Sequence, residues 1–178
     1  MHPSERIRTE SKMKYKSFYK TPEGFSDMVM ISDGEALTNL YFEGSRDEKK
    51  ADEFSEEREL EIFRETKKWL DIYFGGNVPD FTPKYKIENL TPFRKEVSDM
   101  MIKIPYGKTV TYGFIAKEIA KKQGKEKMSA QAVGGAVGWN PLCIIIPCHR
   151  VVGKKGKLTG YGGGMENKTA LLRLEKTI

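Results

Sequence analysis

Residues 144–152, with the sequence IIIPCHRVV, are the most informative stretch of this chain, because they place a thiol and an imidazole side by side after a short apolar, strand-like segment. Pro147 stiffens the backbone immediately before the thiol. Cysteine is scarce, since the chain contains only Cys143 and Cys148. Thiolate is the most nucleophilic of the common side-chain groups, so Cys148 is a candidate nucleophile.

The order Cys148-His149 leaves two interpretations open. Neighbouring residues on a strand point to opposite faces, so proton transfer between these side chains needs a turn or a bridging water. The alternative is a buried, inert thiol beside a surface histidine. A metal site is not expected, because structural zinc takes four ligands and the chain has two cysteines and two histidines, one of them His2 near its start.

Length and composition suit one ordinary domain or two small ones, since the chain has 178 residues, of which 38% are hydrophobic. No apolar run approaches the roughly 20 residues that cross a bilayer, so no membrane association is expected. Residues 1–12 lack the apolar core of a secretory signal and are expected to form a flexible tail. We therefore expect a cytoplasmic protein, or a nuclear one in a eukaryote, with reduced cysteines.

Charge divides the chain into unlike halves. Residues 1–88 carry 15 Lys and Arg against 19 Asp and Glu, a net charge of −4, whereas residues 89–178 carry 16 against 6, a net charge of +10. The asymmetry indicates two units, the second of which faces a polyanion such as nucleic acid. A lysine-rich surface that only keeps the protein soluble is the alternative.

The first half is expected to form a small three-stranded sheet followed by a helix. Short runs rich in apolar and aromatic residues predict strands over Lys14–Tyr19, Met28–Ile31 and Ala36–Phe42. A charged stretch from Asp47 then leads into a helix from about Ser55 to Phe74, whose acidic residues are expected to form a solvated face.

A connector containing Pro79 and Pro83 places the domain boundary near residues 86–91. The chain is thus divided into the tail, an N-terminal α/β domain over residues 13–88 and a C-terminal domain over residues 89–178.

The second half is expected to be mostly helical. The predicted helices run from Phe93 to Met101, from the N-cap Thr111 onward, from Ala130 to Val137 and from Glu166 to Lys176. Two of them follow one another in a basic setting, which is the pattern of a helix-turn-helix, although plain helical packing explains it equally well.

The third of these helices is unusually rich in small residues. Gly134 and Gly135 each cost roughly 1 kcal/mol in a helix interior relative to alanine. With Ala130, Ala132 and Ala136 beside them, one helix face is almost bare of side chains. Such a face lets a backbone approach closely, and that backbone is either another protein segment or a nucleic-acid groove.

Further motifs accompany the opening run in a fixed order: IPYG (104–107) with VTY (110–112), AVGGA (132–136) with NP (140–141), YGGG (161–164), and LL (171–172) before Glu175. With IPCHRVV (146–152) they resemble the O6-alkylguanine-DNA alkyltransferases, the methylated-DNA–protein-cysteine methyltransferases. The match is dense from Thr91 to Glu175, about half of the chain. The first half resembles the family only in its general pattern of strands followed by a helix. The fold implied is α+β, with a ribonuclease-H-like N-terminal unit and a helical C-terminal unit containing a helix-turn-helix.

The resemblance implies a catalytic role for five residues. Cys148 would be the nucleophile and alkyl acceptor. His149 would act through a water as the base that forms thiolate, and Glu175 would orient and charge-stabilise His149. Tyr112 would donate a proton to N3 of the guanine leaving group. Asn140 would brace the helix-turn-helix against the active-site segment, while backbone carbonyls near the nucleophile would hold the exocyclic amine of the base.

Two further sets of residues are implied by the resemblance. The DNA contacts, in the minor groove, would come from Thr111, Tyr112, Gln131, Ala132, Gly134, Gly135 and Arg150. The substrate pocket would be lined by Trp139, Val151, Tyr161, Gly162 and Gly163.

The function implied is DNA repair by a suicidal, stoichiometric enzyme. It would transfer a methyl or other alkyl group from O6 of guanine, with O4 of thymine as a further target, to Cys148 after flipping the nucleotide out of double-stranded DNA. It would act once per molecule, as a monomer, without metal or cofactor. The alternative is a non-catalytic helix-turn-helix protein that senses damaged DNA. Cys148 is thus expected to be reactive and Cys143 structural.

Three positions depart from the family pattern. Gln131 stands where many members have an arginine that fills the vacated base stack. Gly162 stands where some members have a serine that contacts O6. Trp139 precedes Asn140 at a position where small or polar residues are common.

Overall fold

The structure, a computed structural model, describes residues 13–51 and 54–178, so the predicted flexible tail over residues 1–12 lies outside the described residues. The N-terminal half is built on a sheet of four strands, β1 (Lys14–Tyr19), β2 (Met28–Ser32), β3 (Leu37–Phe42) and β4 (Ser55–Glu57). Their spatial order is β3-β2-β1-β4. The first three strands pair in antiparallel fashion, and β4 runs parallel to β1.

The prediction of three strands was wrong by one, because Ser55–Glu57 forms β4 instead of beginning a helix. These residues satisfy the free backbone groups along the edge of β1, and Arg58 N extends the contact by donating to the carbonyl of Lys16 at 3.2 Å. Three exposed or half-buried polar residues carry no periodicity that would separate a strand from the first turn of a helix. These residues form a strand because they pair with β1, which is distant in sequence.

Helix α1 (Glu61–Phe74) covers one face of the sheet. Its buried side chains recur at helical spacing and include Phe63, Leu70 and Tyr73, which are almost completely withdrawn from solvent. A helix of this amphipathic kind is stabilised mainly by burying such a face. Gly76, with φ +87°, closes the helix in the left-handed conformation that glycine adopts without strain.

The C-terminal half contains four more helices among the described residues: α2 (Pro92–Ile102), α3 (Tyr112–Lys122), α4 (Ala130–Trp139) and α5 (Met165–Leu174). The predicted N-caps of α2, α3 and α4 are confirmed, since the side chains of Thr91, Thr111 and Ser129 each accept a hydrogen bond from a first-turn backbone amide. Such a cap contributes about 1 kcal/mol.

Helices α3 and α4 follow each other directly and pack together. Val133, Ala136 and Val137 of α4 are buried, whereas Gln131, Ala132 and Gly135 are exposed. One face of α4 therefore anchors the helix, and the opposite face presents little more than backbone to solvent. The assignments as a helix-turn-helix and as a ribonuclease-H-like unit stay predictions.

Strand β3 connects the two halves. Leu40 N donates to the carbonyl of Pro141 at 2.9 Å, and Cys143 N donates to the carbonyl of Leu40 at 3.0 Å. A single cluster of buried apolar residues extends from Phe42 and Phe63 in the first half to Leu142 and Leu171 in the second. The described helices include none that is long and apolar enough to cross a membrane.

Candidate active site

Residues 141–147, expected to be strand-like, form a series of turns instead. Ile145 N donates to the carbonyl of Cys143 at 2.8 Å around Ile144, whose φ of +69° is unusual for a β-branched residue. Cys148 N donates to the carbonyl of Ile146 at 2.8 Å around Pro147. Both are three-residue turns, and the first is of the strained kind. The apolar run suggested a strand because its side chains are buried, but its backbone doubles back.

Asn140 holds this series of turns in place. Its amide nitrogen Nδ2 donates to the carbonyls of Ile146 at 2.9 Å and Leu142 at 3.3 Å, while its Oδ1 accepts from Leu142 N at 3.0 Å. Asn140 is 4% exposed. The side chain of Asn140 thus holds the turns in addition to the backbone bonds with Leu40, and it links the end of α4 to the segment that carries Cys148.

A short 3-10 turn, Cys148–Arg150, follows. Because a turn replaces the strand, Cys148 and His149 no longer alternate across a sheet: Cys148 borders a cavity, whereas His149 is completely buried. The next residues form β6 (Val151–Val152), which pairs in parallel with β5 (Val110–Thr111) at the start of α3. The turn that carries Cys148 is therefore linked to α4 through Asn140 and to the start of α3 through β5 and β6. These are the two helices predicted to form a helix-turn-helix.

His149 forms a short hydrogen bond with Glu175, with 2.6 Å between Nε2 and Oε2. Burial would raise the pKa of Glu175, but hydrogen bonds and charge from His149, together with Arg150 and Tyr73, hold it well below its ordinary value. Glu175 is therefore a carboxylate, which only accepts, so the proton lies on Nε2 of His149. Burial lowers the pKa of His149 despite Glu175. The imidazole is thus neutral near pH 7, and its Nδ1 is left as a base.

Glu175 is held from several directions. Arg150 Nε donates to Oε1 at 2.8 Å, and Gly107 N donates to the same oxygen at 3.0 Å. Tyr73 Oη donates to Oε2 at 2.6 Å. Each of these charge-assisted bonds favours the ionised carboxyl group and fixes its orientation. The arrangement makes Glu175 a rigid anchor for the histidine.

Cys148 lies at a cavity of about 380 Å³ between the two halves of the chain. The cavity is large enough for a single planar base. Seven of the predicted site residues line it together: Tyr112, Gly134, Gly135, Asn140, Cys148, Tyr161 and Gly162.

Four predicted site residues lie elsewhere. Trp139 stacks under the guanidinium of Arg94, 4.2 Å from the ring centroid, and borders a different cavity. Val151 is buried, and its carbonyl accepts a hydrogen bond from Lys168 Nζ at 2.8 Å, so that oxygen is already engaged by the protein. Gly163 packs between Tyr161 and Phe42, where a Cβ would collide with both rings.

Arg150, the fourth, also has a different environment from the expected DNA contact. Its side chain is 11% exposed, its Nε binds Glu175, and its NH1 donates to the carbonyl of Ile104 at 2.8 Å. The guanidinium therefore supports Glu175, and its contact with DNA stays a prediction.

Four predicted DNA contacts, Thr111, Tyr112, Gln131 and Gly134, line a broad groove together with Ala130. The other wall contains Gly153, Lys154, Lys155, Thr159 and Gly160. Ala132, which is also a predicted contact, is exposed on α4 but does not line this groove. The groove opens beside the Cys148 cavity, with Tyr112 and Gly134 common to both. Small residues on one side and lysines on the other suit a phosphate backbone that passes over the cavity.

The two thiols differ in character. A hydrogen bond with Cys148, burial and the nearby Asp47 raise the pKa of Cys143 well above its ordinary value. The pKa of Cys148 is lowered, because hydrogen bonds from Cys143 and Asn140 outweigh its burial. Cys148 is therefore the sulfur that ionises, in line with its position at the cavity.

Sequence reasoning missed several residues that build the site. Tyr73 lies among the buried side chains of α1, and its hydroxyl is the only sign in the sequence of a polar role. Asp47 and Lys50 belong to a charged stretch that looks like solvated surface, yet both line the Cys148 cavity. Lys168 is buried beneath Tyr161. Over residues 13–51 and 54–178, no group of three or more His, Cys, Asp or Glu side chains is placed to hold a metal ion.

Several known proteins are similar to this chain. Residues 92–177 match the family described as 6-O-methylguanine DNA methyltransferase, DNA binding domain. The methylated-DNA–protein-cysteine methyltransferase of Haemophilus influenzae is 37% identical over 91% of this chain and 86% of its own length. That of Methanosarcina acetivorans is 41% identical over 90% of this chain and 97% of its own.

A solved structure is similar as well. The crystal structure of Mycobacterium tuberculosis OGT in complex with DNA superposes with a TM-score of 0.77 at 34% identity, over 92% of this chain and 93% of that one. The similarity thus covers both halves of the molecule, including the half that carries few recognisable motifs.

Proposed function

Because this chain belongs to the methylated-DNA–protein-cysteine methyltransferase family, we propose that it repairs DNA by moving an alkyl group, such as methyl, from O6 of guanine to the sulfur of Cys148. The observation that supports this most directly is the order Cys148, neutral His149 and ionised Glu175 beside a cavity of the size of a base. A nucleophile, a base and an orienting carboxylate are the parts that thiolate chemistry requires.

The reaction balances without a cofactor. The Cys148 proton passes, through a water, to Nδ1 of His149, and the resulting imidazolium is stabilised by Glu175. The thiolate attacks the alkyl carbon, a C–S bond forms as the C–O bond breaks, and the guanine leaves as an anion that takes up a proton. Tyr112 borders the cavity, and we expect it to supply that proton at N3 of the base.

The substrate must reach a thiol that lies inside a cavity. An alkylated guanine within a duplex is stacked and paired, so the nucleotide has to be turned out of the helix before attack. The exposed face of α4, with Gly135 and Ala132, is narrow enough for the minor groove, which is only about 6 Å wide. Gln131, at the exposed start of this face, is suited to occupy the space that the base leaves.

The product explains how the protein is used. A thioether is stable, so each molecule is expected to act once, as a monomer, and its reaction ends when the DNA with its restored guanine is released. O4-alkylthymine presents a similar alkyl–oxygen bond and is expected to react at the same sulfur. The cytoplasm, or the nucleus in a eukaryote, is where we expect this reaction to occur.

The test uses an oligonucleotide duplex that contains one O6-methylguanine. Incubation with excess duplex should add the mass of one methyl group to the protein, and peptide mapping should place it on Cys148. Cys148→Ala should lose transfer and keep DNA binding. If the intact mass stays unchanged while the protein still binds damaged DNA, the chain is a non-catalytic sensor and the proposal fails.

A further inference from the structure

A second polar network approaches Cys148 from the N-terminal half of the chain. It starts in the 3-10 turn Arg46–Lys50, just after β3. Asp47 in this turn is 4% exposed, and its Oδ1 lies 2.6 Å from Nζ of Lys50. Its Oδ2 accepts a hydrogen bond from Sγ of Cys143 at 3.2 Å. A carboxylate so deeply buried is costly unless its charge is compensated, and Lys50 offsets it.

Lys50 is fixed to the active-site framework as well. Its Nζ donates to the carbonyl of Gly138 at 2.6 Å and to that of Asn140 at 3.1 Å. These carbonyls lie at the C-terminal end of α4, where a cation is favoured. The ammonium group therefore joins the end of α4, the Asn140 brace and Asp47 in one arrangement that borders the Cys148 cavity.

The network ends at the nucleophile. Cys143 is completely buried, has a single proton to donate, and interacts with Cys148 so that its own pKa is raised and that of Cys148 is lowered. While Cys148 is a thiol, that proton goes to Asp47. Once Cys148 has lost its proton to His149, the nearby thiolate competes for the same donor.

We propose that Cys143, Asp47 and Lys50 are positioning residues for the Cys148 thiolate. Cys143 turns its S–H from Oδ2 of Asp47 to the thiolate sulfur, so no covalent bond changes. Asp47 orients Cys143 before ionisation, and Lys50 offsets the negative charge of both the carboxylate and the thiolate. The inference rests on the alkyl transfer proposed above, in which the thiolate is the attacking group.

The same network accounts for a departure from the family pattern at Gly162. Asp47 N donates to the carbonyl of Gly162 at 3.3 Å. A Cβ at position 162 would overlap Oδ1 of Asp47. A serine therefore does not fit while Asp47 occupies this place, and the glycine-rich loop closes directly on the network.

Other ionisable groups also surround the thiolate and set the background for a titration. They are His149 in its own turn, Arg46 beside Asp47, Tyr112 at the start of α3, Tyr161 in the glycine-rich loop and Lys168 in α5. None of them is altered in the experiment below, so differences between variants report on the network.

The experiment measures the thiolate directly. In reducing buffer, iodoacetamide labelling of Cys148 is followed by peptide mass across pH for wild type, Cys143→Ala, Cys143→Ser, Lys50→Met and Asp47→Asn. Cys143→Ala should raise the pH midpoint of the labelling curve of Cys148. It should also slow labelling at pH 7 by about tenfold, because the thiolate fraction falls about tenfold when the pKa rises by one unit. Cys143→Ser, which keeps a donor, should restore most of the rate.

The charges of Lys50 and Asp47 predict that their variants shift the titration midpoint of Cys148 in opposite directions. Lys50→Met should raise the midpoint, because the negative Asp47 is left uncompensated, whereas Asp47→Asn should lower it. Shifts of the same sign, or none in Cys143→Ala, would overturn the proposal. If Cys143→Ala does not fold, Cys143→Val takes its place as the variant without a donor.

A parallel assay of methyl transfer from the O6-methylguanine duplex separates the two proposals. Transfer by wild type with no effect of the substitutions on the titration refutes the network alone. The expected titration shifts without any transfer refute the proposed reaction and leave the network in place.

Discussion

Glu175 is the residue on which most polar contacts of the site converge. It receives hydrogen bonds from His149, Arg150, Tyr73 and Gly107, and its side chain is completely buried. Removing one partner of a buried ion pair is costly because the other charge remains without compensation. The same carboxylate therefore serves stability and the orientation of the base.

Glu175→Gln should lower the free energy of unfolding by about 3 kcal/mol at pH 7. Folding depresses the pKa of Glu175, so its contribution is fully present above the ordinary value of 4.5 and is lost as the pH falls below it. The variant should accordingly lose less stability than wild type between pH 5 and pH 3. Urea unfolding at several pH values measures both effects, with the exposed Glu61→Gln as control.

Equal pH dependence in wild type and Glu175→Gln would show that the carboxylate is not the group whose titration controls acid stability. Methyl transfer by the variant should also fall, because without the carboxylate His149 loses the partner that raises its pKa. If the variant transferred methyl groups as fast as wild type, the hydrogen bond from His149 to Glu175 would not be needed for catalysis.

Tyr73→Phe removes a single hydroxyl from this site. The expected loss is about 1 kcal/mol, the net value of one hydrogen bond. Because that bond helps to lower the pKa of Glu175, the acid unfolding midpoint should move to higher pH. The matched control is Tyr19→Phe, which removes the hydrogen bond from Tyr19 Oη to Asp71 at 2.7 Å and leaves Glu175 untouched. An equal shift in both variants would contradict the assignment.

At the scale of elements, helix α4 combines low intrinsic helix propensity with an exposed face of small residues. A Cβ placed on Gly135 would meet nothing within 4 Å, so the glycine is not required by packing. The glycine lowers the stability of the helix without improving its packing inside the protein. We therefore expect that the missing side chain serves a partner that contacts this face from outside.

Gly135→Ala should raise the free energy of unfolding by up to about 1 kcal/mol, because alanine favours the helix. It should weaken binding to duplex DNA, since the added methyl group holds the groove away from the backbone. Fluorescence anisotropy with a labelled duplex measures the affinity, and the gain in stability shows that the variant is folded. Unchanged affinity would mean that this face of α4 does not meet DNA.

Elements with local signals were predictable from the sequence. The caps Thr91, Thr111 and Ser129 specify helix starts through bonds within one turn, and β1 was predicted to the residue. Strand β4 and the turns around Ile144 were not, because their conformations depend on partners far along the chain. The predicted helix accordingly began at Ser55 instead of Glu61.

The residues of the candidate site likewise divide into those with a local signal in the sequence and those without one. Seven of the residues that line the cavity were predicted, because they stand in motifs that resemble those of a known family. Tyr73 and Asp47 were not, since a tyrosine in an apolar stripe and an aspartate in a charged run have ordinary local patterns. Only the tertiary fold shows that one reaches Glu175 and the other reaches Cys143.

At the scale of the whole molecule, the two halves share one apolar core and meet along β3. The expected division near residues 86–91 separates elements of unlike composition, but the cavity beside Cys148 takes its walls from both sides. The halves are therefore expected to unfold together.

Two tryptophans allow this to be measured, with Trp69 in α1 and Trp139 in α4. Trp139→Phe leaves a reporter in the first half, and Trp69→Phe leaves one in the second. Once stability differences are taken into account, each fluorescence curve in urea should coincide with the circular dichroism of the same variant, as two-state behaviour requires. Two separated transitions would mean that the halves are independently stable.

The distance in sequence between the contacts of the site has a kinetic consequence. Tyr73 and Glu175 are 102 residues apart, and Asp47 and Cys143 are 96 apart. Contacts with such separations tend to form late, because long loops must close first. Until then Cys148 is an ordinary thiol in an unfolded chain. If the protein reacts only once, as proposed, it thus gains its reactive sulfur at the end of folding, when the cavity beside that sulfur also exists.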